Sequence, residues 1–229
     1  MSIYDQYHIR QYDQPYRSTV SLINFIKKHI SLNKIYRCLD VGCGAGANIF
    51  HISKEIPFFH FEGLDIREDL IEFAKKMQPE INFYCADFST FNVSGQYDII
   101  TAIHFTPSFP LDLRDFIIKA NELAKEYIIL TGLFSEGWLE QYTIAYDLKE
   151  NWEGIYKIYS LERLKEIVAH VIPNSTIVIE PFNIDIEIPK KSNQFGTYTV
   201  KVQDGNLLQI SGYMLMPWYN ILIKKGDIT

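Results

Sequence analysis

Cysteine is scarce: Cys38, Cys43 and Cys85 make up the whole complement of three, an odd number with no C-x-x-C or Cys/His ligand spacing. That argues against a disulfide framework and against a zinc site, and leaves reduced thiols. Long apolar runs are missing too. No stretch approaches the length that spans a bilayer, and the opening MSIYDQYHIRQYDQPYRS holds no apolar signal core, so a cytoplasmic protein without membrane insertion is expected. Basic residues are the minority, 22 Lys and Arg against 28 Asp and Glu, for a net charge of -6. With no basic stripe the chain offers little to a phosphate backbone, and nucleic acid is not expected as a partner. Linkers rich in Pro, Gly or Ser, internal repeats and low-complexity segments are also lacking, so the 229 residues read as one domain.

What is present is a rhythm. Short apolar runs at Tyr36 to Val41, His60 to Ile66, Ile81 to Asp87, Tyr97 to Ile103 and Tyr127 to Thr131 alternate with helical patterns at Ala47 to Glu55, Glu68 to Met77 and Leu111 to Lys125. Repeated βα units predict an α/β fold with a parallel sheet covered by helices. A further amphipathic helix, Thr19 to His29, precedes the first strand with Ser18 or Thr19 available as its cap. The domain divides into an amino-terminal helix or lid (1–30), a βα core (36–132), an aromatic and acidic insertion without clean period (133–152), and a strand-like carboxyl region (177–225). In between, SLERLKEIVAHV opens a helix at Ser160, and Asp204-Gly205 marks a hairpin turn in an antiparallel carboxyl end.

The first strand runs into CLDVGCGAGANIF, where Gly42, Gly44 and Gly46 stand at alternate positions before a helix. This is the place in an open α/β sheet where a ligand meets the strands' carboxyl ends. Gly42, Gly44 and Ala47 satisfy G-x-G-x-x-A, a dinucleotide fingerprint with a pyrophosphate at the helix amino terminus. Asp40, two residues before Gly42, is a poor neighbour for a pyrophosphate and a good acceptor for an amine. It tips the balance toward a cationic ligand group.

LDVGCGAG resembles the first motif of the class I S-adenosylmethionine-dependent methyltransferases. The resemblance implies a Rossmann-like fold: seven strands, mostly parallel, helices on both faces, the last strand antiparallel, and here the connection from sixth to seventh strand enlarged into a hairpin. It implies S-adenosyl-L-methionine as cofactor and S-adenosyl-L-homocysteine as product. Asp40 and the loop of Gly42, Cys43, Gly44 and Gly46 would hold the methionine end, with Cys43 a small filler rather than a nucleophile. Asp65 would accept from the ribose hydroxyls and Ile66 would face the adenine. Asp87 and Phe88 would read the adenine edge, and Ile103 would approach the transferring methyl. Successive parallel strands deliver Asp40, Asp65, Asp87 and Ile103 to one rim.

Methyl transfer from a sulfonium needs an aligned acceptor atom and, for an oxygen acceptor, removal of its proton. His104, one residue beyond the strand expected to touch the methionine end, is the candidate general base; a strand-end histidine bonded to backbone is its bland alternative. The amino-terminal Tyr4, Tyr7, His8, Arg10, Tyr12, Tyr16 and Arg17 could fold over the cofactor, with Arg10 or Arg17 on its carboxylate, or pack as a Tyr-rich helix on the sheet. Phe134, Trp138, Tyr142, Tyr146 and Trp152 form either an aromatic floor for a substrate or the core of the insertion. The run from Gly196 is similar to tails of bacterial methyltransferases that modify surface-polysaccharide sugars. It points to a hydroxyl of a sugar or nucleotide-linked sugar in a small-molecule acceptor, and the enlarged hairpin to a homodimer contact. The Asp/Asp/Asn metal constellation and the N-P-P-Y signature of other methyltransferases are missing, IHFTPSF standing in the latter's place, which favours metal-independent O-methylation. An NAD-dependent oxidoreductase, a macromolecular methyltransferase and a non-catalytic binding protein are the rival readings.

Overall fold

A computed structural model describes residues 9–93, 95–105, 112–148, 152–190, 196–212 and 214–226. In chain order its first elements are α1 (Arg17–His29), β1 (Tyr36–Val41), α2 (Ala47–Glu55), β2 (Phe59–Asp65), α3 (Glu68–Met77), β3 (Phe83–Cys85) and β4 (Tyr97–Phe105). Then come α4 (Leu113–Leu123), β5 (Ala124–Ser135), the hairpin β6 (Gln141–Asp147) and β7 (Trp152–Ser160), α5 (Leu161–Val171) and β8 (Thr176–Pro181). A small sheet of β9 (Thr197–Lys201), β10 (Leu207–Ser211) and β11 (Met214–Leu215) precedes β12 (Trp218–Lys224).

The main sheet runs β3-β2-β1-β4-β5-β12-β8, with β6 and β7 added beyond the end of β5. β1 pairs in parallel with β2 and β4, and β12 is antiparallel to both β5 and β8. Alternate residues along each strand enter opposite layers. On one face Leu39, Val41, Ile100, Ile128 and Ile221 pack with Phe116 of α4 and Leu164 of α5. On the other, Cys38, Ile99, Ile129 and Leu222 pack with Leu22 and Ile26 of α1 and Ile49 of α2. This is the mostly parallel, helix-covered α/β sheet with an antiparallel last strand that the sequence implies.

Several local expectations are corrected. The helix expected from Leu111 to Lys125 spans Leu113–Leu123, because Asp112 caps it by accepting from the Arg114 amide at 2.9 Å and the chain extends again from Ala124. α1 begins after Tyr16 without a side-chain cap. Ser18 and Thr19 bond His104 and Asn48 instead, so their hydroxyls serve tertiary contacts. The insertion is an ordered antiparallel hairpin, paired from Gln141↔Ile158 to Asp147↔Trp152. Residues 182–190 are irregular rather than strand. Two readings hold: Ser160 accepts from the Arg163 amide at 3.0 Å as N-cap, and Gly205 turns with φ 87° between β9 and β10.

Candidate active site

The carboxyl ends of β1, β2, β3 and β4 lie side by side on one rim, since those strands are neighbours and parallel. After β1, Gly42, Gly44 and Gly46 all have positive φ, at 74°, 54° and 83°. A Cβ on Gly46 would stand 2.8 Å from Gln78 Nε2 and 3.1 Å from the Tyr12 hydroxyl, so a side chain is excluded by packing as well as by backbone conformation. The loop's own donors are largely spent inside the protein. The amides of Gly42 and Cys43 donate to the Leu64 carbonyl and that of Gly46 to the Cys43 carbonyl. The Gly44 amide donates to Asp65 Oδ2 at 2.8 Å. A carboxylate of the protein sits where a pyrophosphate would have to be received, which counts against the dinucleotide reading.

Asp40 lies beneath this loop, 1% exposed, accepting from Thr101 Oγ1 at 2.7 Å and from the Ile103 amide. Burial pushes its carboxyl up to about 7, with the Asp65 charge adding to the effect. A buried acid held at the edge of ionisation is a site that gains from a cation placed above it. Asp65 also accepts from the Arg67 amide at 2.9 Å, and its two oxygens retain lone pairs for further donors. Ile66 beside it is 59% exposed, an apolar side chain left uncovered at the rim. Asp87 is held below the usual carboxylate range by the Ser89 hydroxyl and amide, both donating to Oδ1, while Phe88 is buried against Phe116. These residues fit an adenosyl cofactor with a cationic end: a buried acid beneath the loop, a second acid with lone pairs to spare at the next strand tip, and an exposed apolar side chain beside it.

Two kinds of side chain near the loop can be placed. Cys43 points away from the rim, its sulfur packed within 2.8 Å of where a Cβ on Gly63 would stand, and burial pushes its thiol well up. It fills space and offers the rim no sulfur. The Arg10 side chain is exposed, with no hydrogen bond or ion pair among the described residues, and Arg17 pairs with Asp185 at 3.5 Å. Tyr4, Tyr7 and His8 lie outside the described residues. The amino-terminal segment does reach the loop through Tyr12, whose hydroxyl donates to the Ala45 carbonyl at 2.5 Å and accepts from Gln78 Nε2 at 2.9 Å. Gln78 also donates to the Gly46 carbonyl at 2.9 Å, so both loop carbonyls are pinned from one side.

At the tip of β4, Ile103 is buried and His104 takes φ 60°, where the register with β5 shifts between Ile103 and Phe105. Positive φ at a non-glycine residue is sustained only where the surroundings hold it. Here the imidazole Nε2 lies 2.7 Å from Ser18 Oγ, and its ring meets Trp218 at 5.2 Å and Tyr16 at 6.3 Å. Burial lowers its pKa to about 4, so the ring is neutral at working pH rather than poised near it. The aromatic set of the insertion divides: Phe134 is fully buried against Tyr159, whereas Trp138, Tyr142 and Tyr146 are exposed. An insertion core does not describe those three. Ser18, Thr101, Tyr12 and Gln78 went unremarked or unpaired in the sequence, because nothing in its spacing ties them to partners 33 to 86 residues away.

Residues 38–126 match the family of methyltransferase domains. The malonyl-[acyl-carrier protein] O-methyltransferase of Bacillus anthracis is 25% identical over 193 residues, covering 78% of this chain and 70% of the relative. The dTDP-4-amino-2,3,4,6-tetradeoxy-D-glucose N,N-dimethyltransferase of Saccharopolyspora spinosa is 30% identical over 87 residues, covering 38% of this chain and 34% of the relative. A solved S-adenosylmethionine-dependent methyltransferase from Clostridium acetobutylicum shares the fold with a TM-score of 0.61 at 15% identity, over 99% of this chain and 100% of that one. The rim and its acids, Asp40, Asp65 and Asp87, lie within the segment that matches a methyltransferase domain. The chain is similar to methyltransferases over that segment and shares their fold, and S-adenosyl-L-methionine is the cofactor this likeness supports. Among the described residues no three His, Cys, Asp or Glu side chains gather as a metal site, and no helix is long and apolar enough to cross a membrane.

Proposed function

We propose that the enzyme methylates an oxygen of a small-molecule acceptor, a hydroxyl of a sugar or nucleotide-linked sugar, presented at the tip of β4. The observation that carries this is His104: a strained residue beside Ile103, tethered at Nε2 by Ser18 and held as the neutral imidazole. When bound, S-adenosyl-L-methionine supplies an activated methyl carbon. Asp40 and Asp65 hold its cationic and ribose parts, Ile66 faces the adenine with the Asp87-Phe88 backbone turn at its edge, and the amino-terminal segment hooked by Tyr12 forms a lid. The hydroxyl proton becomes strongly acidic as the carbon–oxygen bond forms and the carbon–sulfur bond breaks. A weak but unprotonated imidazole can receive it at that stage.

The low pKa of His104 also favours a second reading, in which the acceptor is a carboxylate and needs no base. The Bacillus anthracis relative is named for a malonyl group. Radiolabelled transfer from the cofactor to a panel of sugar nucleotides and malonyl thioesters, by wild type and His104→Ala, separates the two. On the hydroxyl reading the variant loses about 100-fold in kcat at unchanged cofactor affinity. At saturating cofactor, which holds Asp40 ionised, kcat stays level from pH 6 to 8, because protonation of His104 sets in only near pH 4. A variant with undiminished kcat leaves the carboxylate reading standing and removes His104 from proton transfer.

For Asp65 the expected result is a loss of affinity. Asp65→Ala frees the Gly44 and Arg67 amides and removes the ribose acceptor, weakening S-adenosyl-L-methionine binding by about 30-fold at charge-assisted hydrogen-bond strength. Calorimetric titration reads this directly; an affinity equal to wild type removes Asp65 from the cofactor site.

A further inference from the structure

A groove of about 340 Å³ lies between α1 and the exit of β8, lined by Arg17, Asn24 and Lys28 on the helix and by Glu180, Asn183 and Asp185 across from them. Its size falls in the range of small-molecule sites, about 300–1,000 Å³. Its back wall is rigid: Asn220, 2% exposed, donates to Ser21 Oγ at 2.9 Å and accepts from Thr131 at 3.1 Å. Ser21 stands one helical turn from Ser18, the residue that tethers His104. Asn220 is likewise two residues along the same strand face from Trp218, which meets the His104 ring. The groove therefore opens next to the proposed acceptor position.

Its chemistry selects a ligand class. Both cations are neutralised, Arg17 by Asp185 at 3.5 Å and Lys28 by Glu180 at 2.7 Å, so no surplus positive charge draws a phosphate or carboxylate. The side-chain amides of Asn24 and Asn183 have no hydrogen-bond partner among the described residues, and each presents donors and an acceptor together. Hydroxyl groups have the same double character. Pro181 and Phe182 add an apolar lip suited to the C–H face of a ring.

We propose that this groove binds a neutral, hydroxyl-rich ring, a sugar residue of the acceptor, and so steers another oxygen of the same molecule toward His104. The proposal rests on the reading of a small-molecule oxygen acceptor at the tip of β4. It is tested by saturation-transfer NMR on the full chain with methyl α-glucopyranoside, methyl α-galactopyranoside and methyl α-rhamnopyranoside, alongside inorganic phosphate followed by its phosphorus line width. At least one pyranoside should receive saturation from wild type. The Asn24→Leu/Asn183→Leu double variant, altered at two exposed positions, should bind it about tenfold more weakly at unchanged cofactor affinity. Silence from all three pyranosides, equal saturation in the double variant, or a response to phosphate alone overturns the proposal. If pyranoside binds and S-adenosyl-L-methionine does not, the groove stands and the cofactor site falls; the reverse outcome sinks the groove alone.

Discussion

Asp40→Asn weakens S-adenosyl-L-methionine binding by about 100-fold while making the folded protein more stable at pH 8, the affinity loss being that of a charge-assisted hydrogen bond to a cation. The carboxyl is buried under the glycine loop and its pKa is raised from 3.8 to about 7, a gap worth about 4 kcal/mol. The sign follows from proton counting. Between pH 4 and 7 the folded chain keeps a proton that the unfolded chain has released, so stability falls as pH rises through that window. Above pH 7 the whole penalty is present; below the unfolded pKa it vanishes. Asparagine keeps an acceptor for Thr101 and removes the charge, so about 2 kcal/mol returns and the melting temperature at pH 8 climbs by roughly 5 °C. Near pH 4 the two proteins should melt together. A variant that loses stability at pH 8, or binds cofactor as wild type does, would show that the buried charge is not held for the ligand's sake.

Gly46→Ala is expected to be the most destabilising single methyl in the loop. Alanine at φ 83° pays the left-handed penalty of about 1–2 kcal/mol. Its Cβ would also meet Gln78 Nε2 at 2.8 Å, Phe83 Cζ at 3.1 Å and the Tyr12 hydroxyl at 3.1 Å, adding overpacking of about 1–3 kcal/mol. For a chain of this size the sum lowers the melting temperature by roughly 10 °C. Because Gln78 is the nearest obstacle, Gln78→Ala in the same chain should return part of the loss, a coupling that a double-mutant cycle measures. Thermal melts of the two single variants and the double variant supply that cycle; a drop under about 2 °C for Gly46→Ala would mean the Tyr12–Gln78 clasp yields without cost.

The legible part of the molecule is its periodic part. β1, α2 and α3 fall where the sequence puts them, because a strand buried on both faces and an amphipathic helix carry their patterns locally. The glycine loop is legible for a related reason: three positive φ angles in five residues need glycine, so the conformation leaves its mark on composition. The hairpin of β6 and β7 was not legible. Its outward face carries Tyr142, Ile144 and Tyr146, all exposed, so the apolar alternation that normally marks a buried strand face points to solvent. Arg17 is attractive as a carboxylate ligand by proximity in sequence, but α1 turns it toward Asp185.

Residue order alone determined the alternating βα layout, the bend after the opening strand and the acids at successive strand tips, since each is a local consequence of backbone preference and period. Whether those acids would be sealed or open, and what His104 could do with a proton, was decided by the tertiary structure. Thr101 and Ile103 close over Asp40, Ser18 reaches His104 from α1, and Tyr12 and Gln78 clasp the loop from either end of the cofactor half. Desolvation depends on every neighbour in space, and a pKa is therefore a property of the packed fold that no window of sequence contains.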